Sequence, residues 1–291
     1  MTGPRPLAQV LREAAATLAE TGVPSPRVDA ELLLAHVLGV PVGQLRHDAL
    51  LGGTAGTAEL TRFGELLAER ARRVPLQHLT GRAAFRRLEL AVGPGVFIPR
   101  PETEVLVDLA LAELRRLPTD PPPVVVDLCT GSGAIALAVA DEWPAARVHA
   151  VEASEEAHAW AGANVRETGL PVDLRLGPAQ QAFPDLLGAV DLVLSNPPYI
   201  PPAMVPTDPE VRDHDPAVAL YGGGDDGLLI PLEVAARAAE LLHPGGLLLM
   251  EHADTQGRTL PDRLVAAGAW TDVVDHPDLA GLPRVTSARR A

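Results

Sequence analysis

The chain has 291 residues, 47% hydrophobic and 21% charged, the balance of a globular protein with one large or two ordinary domains. Its formal net charge of −14 weighs against a broad nucleic-acid groove, because phosphate binding needs local positive charge. A single cysteine excludes an internal disulfide framework, and the absence of lysine excludes Schiff-base, pyridoxal-anchoring and Walker-type lysine chemistry.

All 24 basic residues are therefore arginines, and the sequence leaves room for local basic patches around Arg70, Arg72, Arg73, Arg82, Arg86 and Arg87. The N-terminus lacks a positively charged segment followed by an apolar stretch and a cleavage site. Apolar runs such as 247–250 are too short to span a bilayer. A cytoplasmic protein without membrane partners is expected, by default a monomer.

In chain order, residues 1–82 predict a small helical domain. Leu7, Val10, Leu11, Ala14 and Leu18 recur at helical spacing and stop before Gly22. Ser25 and Pro26 read as a cap and a first-turn proline, opening a helix with Leu32, Leu33 and Val37 that ends at Gly39. A third helix starts near Thr57 and carries Leu60, Phe63, Leu66 and Leu67. Nothing in this part suggests chemistry. Residues 83–97 change period: Leu88, Leu90 and Val92 alternate before Gly93-Pro94-Gly95, so a β-hairpin linker is expected.

Residues 98–291 predict the second domain. Pro99-Arg100-Pro101-Glu102-Thr103-Glu104 precedes a helix on Val105, Leu106, Leu109 and Leu114. From Val124, strands at 124–128, 147–151, 172–176, 190–195 and 246–252 alternate with helices near 133–142, 154–167, 226–242 and 256–267. That order is α/β, a Rossmann-like, doubly wound and mostly parallel sheet. Segments near 270–275 and 284–288 are candidate strands, pairing antiparallel at one edge. The weakly periodic stretch 200–226 reads as a functional lid.

Two loops at the carboxyl ends of strands carry the chemistry. In Asp127-Leu128-Cys129-Thr130-Gly131-Ser132-Gly133, the glycines let backbone approach a ligand and the next helix offers N-terminal amides. Glu152, closing the following strand, stands where an acid accepts from ribose hydroxyls. These features fit a nucleotide-like cofactor, and alone they also fit a dinucleotide fingerprint. The second loop, Asn196-Pro197-Pro198-Tyr199, favours a planar –NH2 group. The Asn196 side-chain oxygen and the Pro197 carbonyl would hold the amine, and Tyr199 would supply a flat face. Pro198 stiffens the turn. Together the loops point to methyl transfer from S-adenosylmethionine to a planar nitrogen.

These motifs resemble the release-factor glutamine methyltransferases, the PrmC/HemK family, over nearly the full length. The resemblance rests on Pro75-Leu76-Gln77-His78-Leu79-Thr80-Gly81, Ile98-Pro99-Arg100-Pro101-Glu102-Thr103-Glu104, the loop from Asp127 to Ala134, and Asn196-Pro197-Pro198-Tyr199-Ile200. Asp215-Pro216, Ala219-Leu220, Glu251-His252 and Arg284-Val285-Thr286 add support. It implies a helical domain that recognises the release factor and a catalytic domain that methylates the glutamine N5 of a Gly-Gly-Gln loop. By position, Asp127, Cys129, Thr130, Gly131, Ser132 and Gly133 would bind S-adenosylmethionine, with Glu152 on its ribose. Asn196 would touch cofactor and substrate, and Pro197, Pro198 and Tyr199 would complete the amide pocket, with Asn196, Pro197 and Tyr199 the catalytic set. Arg100 and Glu102 would border the cofactor.

Three positions depart from the family pattern. Cys129 stands where glycine is common, Glu152 where aspartate is common, and Pro178 where an aspartate would sit near the adenine. Cys129 reads as packing, His252 as a structural hydrogen bond, Asp225 and Asp226 as helix caps, and the tryptophans as packing. No metal spacing is present among the histidines. The alternatives are an adenine-N6 methyltransferase acting on nucleic acid, a nicotinamide oxidoreductase, or a binding module with a degenerate pocket. No stable nucleic-acid partner is expected.

Overall fold

The computed structural model describes residues 3–291, which form two compact units: 3–82 with Pro206–His214, and Ala83–Val205 with Asp215–Ala291. In the first unit, β1 (Arg5–Pro6) pairs antiparallel with β2 (Thr54–Ala55) beside five helices. These are α1 (Leu7–Glu20), α2 (Pro26–Leu38), α3 (Val42–Leu50), α4 (Thr57–Ala71) and α5 (Leu76–Thr80). The spacing of Leu7, Val10, Leu11, Ala14 and Leu18 gives α1 one buried face, which packs with Leu33, Leu34, Leu45 and Phe63. Each such fully buried side chain contributes about 1.5–3 kcal/mol relative to exposure.

The start of α2 differs from the expected cap: the Ser25 hydroxyl makes no capping hydrogen bond. Pro26 at the first helical position, with its preset φ, begins the helix, and left-handed Gly39 ends it. Helices α3 and α5 escaped the sequence reading because they are too short to display a period.

The second unit opens at Ala83 within the hairpin of β3 (Arg82–Phe85) and β4 (Leu88–Ala91), then α6 (Glu104–Leu114). The alternating region follows as β5 (Val124–Leu128), α7 (Ala134–Glu142), β6 (Arg147–Glu152), α8 (Glu155–Thr168), β7 (Val172–Leu176) and β8 (Val190–Ser195). After β8 the chain runs through α9 (Pro209–His214), which belongs to the first unit, and α10 (Ala217–Leu220). In that first unit Glu210 lies 2.6 Å from both Arg70 and Arg73, while Arg70 also pairs with Asp29 at 2.7 Å. The sequence read this weakly periodic stretch as a functional lid; the structure places a short helix in it, held by charge.

The chain finishes with α11 (Leu229–Leu241), β9 (Leu242–Glu251), α12 (Thr259–Ala266), β10 (Trp270–Pro277) and β11 (Pro283–Arg290). Seven strands form one sheet ordered β10-β11-β9-β8-β5-β6-β7, parallel except for β11. Alternation sends Val125, Leu192 and Leu249 into a core with α6 and α7, and Val126, Val193 and Leu248 into a core with α11 and α12. The last hairpin refines the edge expectation. Strand β11 lies inside, between β9 and β10, and only β10 is terminal. Its central residues Val285 to Ala288 are buried, which suits an interior position.

Candidate active site

Strand β5 delivers Asp127 and then a turn in which Cys129, Gly131 and Gly133 all take positive φ. Asp127 is completely buried. Its Oδ2 accepts from Thr130 Oγ1 (2.5 Å) and from the Ala136 amide (3.2 Å), tying the turn to the start of α7. Its Oδ1 has no partner, and burial pushes the carboxyl up to about 7. Glu152, at the end of β6, accepts from the Gly131 and Ser154 amides, both at 2.8 Å. Ser132 is buried, and its carbonyl accepts from Asn164 Nδ2 at 2.9 Å.

Cys129 occupies a left-handed conformation at φ +68, which costs an L-residue about 1–2 kcal/mol. That is the physical reason glycine suits this position. Burial pushes the thiol well above its ordinary range, so it packs as a neutral thiol and is no nucleophile.

Strands β5 and β8 are neighbours, with Leu128 opposite Ser195, and Ser195 Oγ donates to the Leu128 carbonyl at 2.5 Å. The second loop thus leaves the sheet beside the first. Asn196 Nδ2 donates to Thr103 Oγ1 at 3.4 Å, which leaves Oδ1 as the end available to a ligand. Among the described residues no backbone amide donates to the Pro197 carbonyl. The Tyr199 hydroxyl donates to Glu251 Oε1 at 3.4 Å, and burial beside that carboxylate pushes the phenol upward, keeping it neutral.

Several residues without a role in the sequence reading hold this loop. Gln256 Nε2 donates to the Tyr199 carbonyl (2.8 Å) and to the Asp226 carbonyl (2.9 Å). The Ile200 amide donates to Leu220 O, and the Gly222 amide donates to Ile200 O. A Cβ on Gly222 would lie 1.9 Å from Gly227 O and 2.6 Å from Pro198 O. A Cβ on Gly227 would lie 2.2 Å from Tyr199 O. These glycines mark backbone packed directly under the loop. No local pattern announces them, since only the fold brings 222 and 227 to 198–200.

The Pro99 to Glu104 run contributes Thr103, which is buried, and Arg100, which pairs with the buried Asp215 at 2.6 Å and lies over the Phe97 ring. Glu102 is exposed. His252 is buried, with Nε2 2.9 Å from Asp275 Oδ1 and Nδ1 by the Ala253 carbonyl, which agrees with a structural role. Asp226 does not cap α11. Its Oδ1 accepts from the Leu228 amide in a local turn, and Oδ2 pairs with Arg263. The candidate basic patch is also largely neutralised: Arg70 and Arg73 pair with Glu210, Arg72 with Glu69, Arg86 with Glu142 and Arg87 with Asp141. Trp143, Trp160 and Trp270 pack against hydrophobic clusters.

This donor and acceptor set fits S-adenosylmethionine. Asp127 Oδ1 is a buried acceptor without a partner, and Gly131 has open space where a side chain would project. Both Glu152 oxygens retain lone pairs beyond the two amides they accept from. Pro178, exposed at the end of β7, brings no side-chain acceptor. Among the described residues no cluster of His, Cys, Asp and Glu is placed to hold a metal.

Comparison with known proteins places this geometry in a family. A family model described as the PrmC N-terminal domain matches residues 9–81, and one described as the methyltransferase small domain matches residues 105–207. The release factor glutamine methyltransferase of Streptomyces coelicolor is 51% identical over 96% of both chains. The chain belongs to the release factor glutamine methyltransferase family. The Mycolicibacterium smegmatis member is 48% identical over 98% of both chains. A 4-amino-L-phenylalanine/4-methylamino-L-phenylalanine methyltransferase of Streptomyces pristinaespiralis is 40% identical, covering 95% of this chain and 94% of its own. A solved methyltransferase from Pyrococcus furiosus shares the fold at a TM-score of 0.50, with 18% identity over 70% of this chain and 88% of that one. The Rossmann-like fold expected from strand–helix alternation is thus found, and the family's chemistry is methyl transfer with S-adenosylmethionine as donor. No single described helix is long and apolar enough to cross a membrane; α2 and α3 reach that length together only across a 98° bend.

Proposed function

We propose that this chain methylates the side-chain amide nitrogen, N5, of the glutamine in the Gly-Gly-Gln loop of peptide chain release factors. The observation that carries the reading is the oriented Asn196 amide: Thr103 engages Nδ2, so the accepting Oδ1 is the end left for a planar –NH2. Asn196 Oδ1 and the Pro197 carbonyl accept the two amide protons, and Tyr199 lies against the flat group. An amide nitrogen is a weak nucleophile because its lone pair is delocalised, so alignment is what these residues supply. S-adenosylmethionine, when bound, supplies an electrophilic methyl on a positively charged sulfur. Asp127, Cys129, Thr130, Gly131, Ser132, Gly133 and Glu152 hold it, through the acceptors and open backbone described above. As the nitrogen–carbon bond forms and the sulfur–carbon bond breaks, a proton leaves the nitrogen to water, and no residue is required as a strong base.

In this reading the helical residues 1–82 recognise the release factor, 83–97 link, and 98–291 catalyse, in a cytoplasmic monomer; light scattering of the purified chain checks that state. The adenine-N6 alternative is not favoured, because most arginines that could line a basic groove are spent on carboxylates. A second reading is a small aryl amine as acceptor, favoured by the 40% identical relative whose name carries such a substrate. Labelled S-adenosylmethionine, incubated with a bacterial release factor, its Gly-Gly-Gln→Gly-Gly-Ala form and 4-amino-L-phenylalanine, separates these readings. Label on the glutamine alone supports the first; label on the aryl amine alone overturns it.

A further inference from the structure

Glu251 ends β9 with its carboxylate shielded from solvent, and the chemistry above gives it no part. Four groups face it. The Tyr199 hydroxyl is 3.4 Å from Oε1, the Thr103 hydroxyl stabilises its negative charge, Arg284 does so through space, and Glu102 opposes it. Oε2 has no hydrogen-bond partner, so Thr103 acts on the carboxylate as a near neighbour and not as a bonded donor. On its other side, Thr103 Oγ1 accepts from Asn196 Nδ2.

The proton inventory of this row has one consistent direction. A carboxylate only accepts, a hydroxyl carries one proton, and an asparagine amide has one accepting and one donating end. With Glu251 ionised, the Thr103 proton turns toward it and the Thr103 lone pairs face Asn196. Only Nδ2 can meet those lone pairs, so Oδ1 is turned out. If the row ran the other way, Nδ2 would confront a substrate –NH2, donor against donor.

We propose that Glu251 is a positioning residue which, acting through Thr103, sets the end of the Asn196 amide that meets the nitrogen to be methylated. The inference rests on the amine-methylating reading above. Burial pushes the Glu251 carboxyl up to about 7, so its ionisation falls within the working pH range. Below that point the acid can itself donate, and the direction of the row is no longer fixed.

The test uses the full chain as wild type, Glu251→Gln, Glu251→Asp and Thr103→Val, each checked for folding by thermal melting. One arm needs no acceptor substrate: side-chain amide NMR of Asn196, read as nuclear Overhauser contacts from Nδ2–H2 to the Thr103 methyl. Those contacts are expected in wild type and Glu251→Asp and lost in Glu251→Gln. The second arm is methyl transfer to release factor. Glu251→Gln and Thr103→Val are expected to lower kcat roughly 10- to 100-fold. KM and the affinity for S-adenosylmethionine should stay within about twofold if only alignment is lost. Glu251→Asp should recover part of kcat, and the rise of wild-type kcat through pH 7 should vanish in Glu251→Gln. Unchanged Asn196 contacts in Glu251→Gln overturn the inference whatever the substrate. So does an equal loss in the Asp and Gln variants. Absence of methyl transfer by wild type refutes the substrate reading alone, and the NMR arm still judges Glu251.

Discussion

Replacing Gly222 by alanine tests whether the Asn196 to Tyr199 loop depends on backbone packed beneath it. The new Cβ would sit 1.9 Å from Gly227 O and 2.6 Å from Pro198 O, and both neighbours are backbone with no flexible side chain to yield. Reaching even a tight contact of about 3.0 Å requires a shift of roughly 1 Å at the Gly227 carbonyl, and Gly227 has no room to move toward the loop, since a Cβ there would already lie only 2.2 Å from Tyr199 O. The displacement is therefore passed to 198–200, where the proposed function aligns the substrate nitrogen. A misplacement of that size costs up to about 100-fold in rate, or about 2.7 kcal/mol of transition-state stabilisation. Overpacking should lower folding stability by about 1–3 kcal/mol. The Asp127 to Gly133 turn lies on another strand, so S-adenosylmethionine affinity by calorimetry should hold within about threefold if the two loops act independently. Single-turnover methyl transfer at saturating substrate gives the rate. A Gly222→Ala enzyme that folds and keeps the wild-type rate refutes the reasoning.

Three further outcomes follow from the same contacts. Asp127 and Glu251 are both raised to about 7 by burial, so the folded state retains protons that the unfolded chain has released. Their stabilising contribution is full below the ordinary carboxylate range and is lost as pH rises through 7, by at most about 4 kcal/mol for Asp127 and about 3 kcal/mol for Glu251. His276, lowered by burial, works in the opposite direction, so the readout is a difference: denaturant unfolding at pH 5.5 and 8 should show a smaller loss in Glu251→Gln than in wild type. Glu210→Ala strips the shared partner from Arg70 and Arg73 and should cost the helical unit about 3 kcal/mol, with faster proteolysis within 206–214; unchanged cleavage contradicts this. Gly64 lies exposed inside α4 with open space at its Cβ, and Gly64→Ala should stabilise by about 0.8–1 kcal/mol in denaturant melts.

The placement of the two loops at neighbouring strand ends was legible from sequence. Asp127, Gly131, Gly133 and Asn196 to Tyr199 sit on two adjacent parallel strands because strand–helix alternation dictates that sheet, and strand periodicity located β5, β7 and β8 within it. Strand β11 was harder: Val285 to Ala288 mixes apolar and hydroxyl residues, and nothing local says that it enters the sheet ahead of β10. The missed helices α3 and α5 are too short to repeat a pattern. Asp226 misled because a side chain of capping type can as readily serve a neighbouring turn, and Ser25 misled because Pro26 opens the helix without a capping bond.

The supports of the site belong to a different class of information. Thr103, Gln256 and Glu251 act on the loop at 196–200 across long sequence separations, and each is an ordinary polar residue in its own segment. Their meaning arises only when β8 and β9 lie side by side and the chain returns at 220–227 to pass under the loop. The segment 200–226 must therefore be long for a physical reason. Its middle is fastened by Glu210 to two arginines of the helical unit, and its end is fastened by Asp215 to Arg100. Beyond that point Leu220 and Gly222 bond the Ile200 backbone. Within the second unit those bonds, with the Gln256 amide on the Tyr199 carbonyl, fix the backbone beside Pro197 and Tyr199, and under the proposed function alignment of a weak amide nucleophile depends on where those two groups stand.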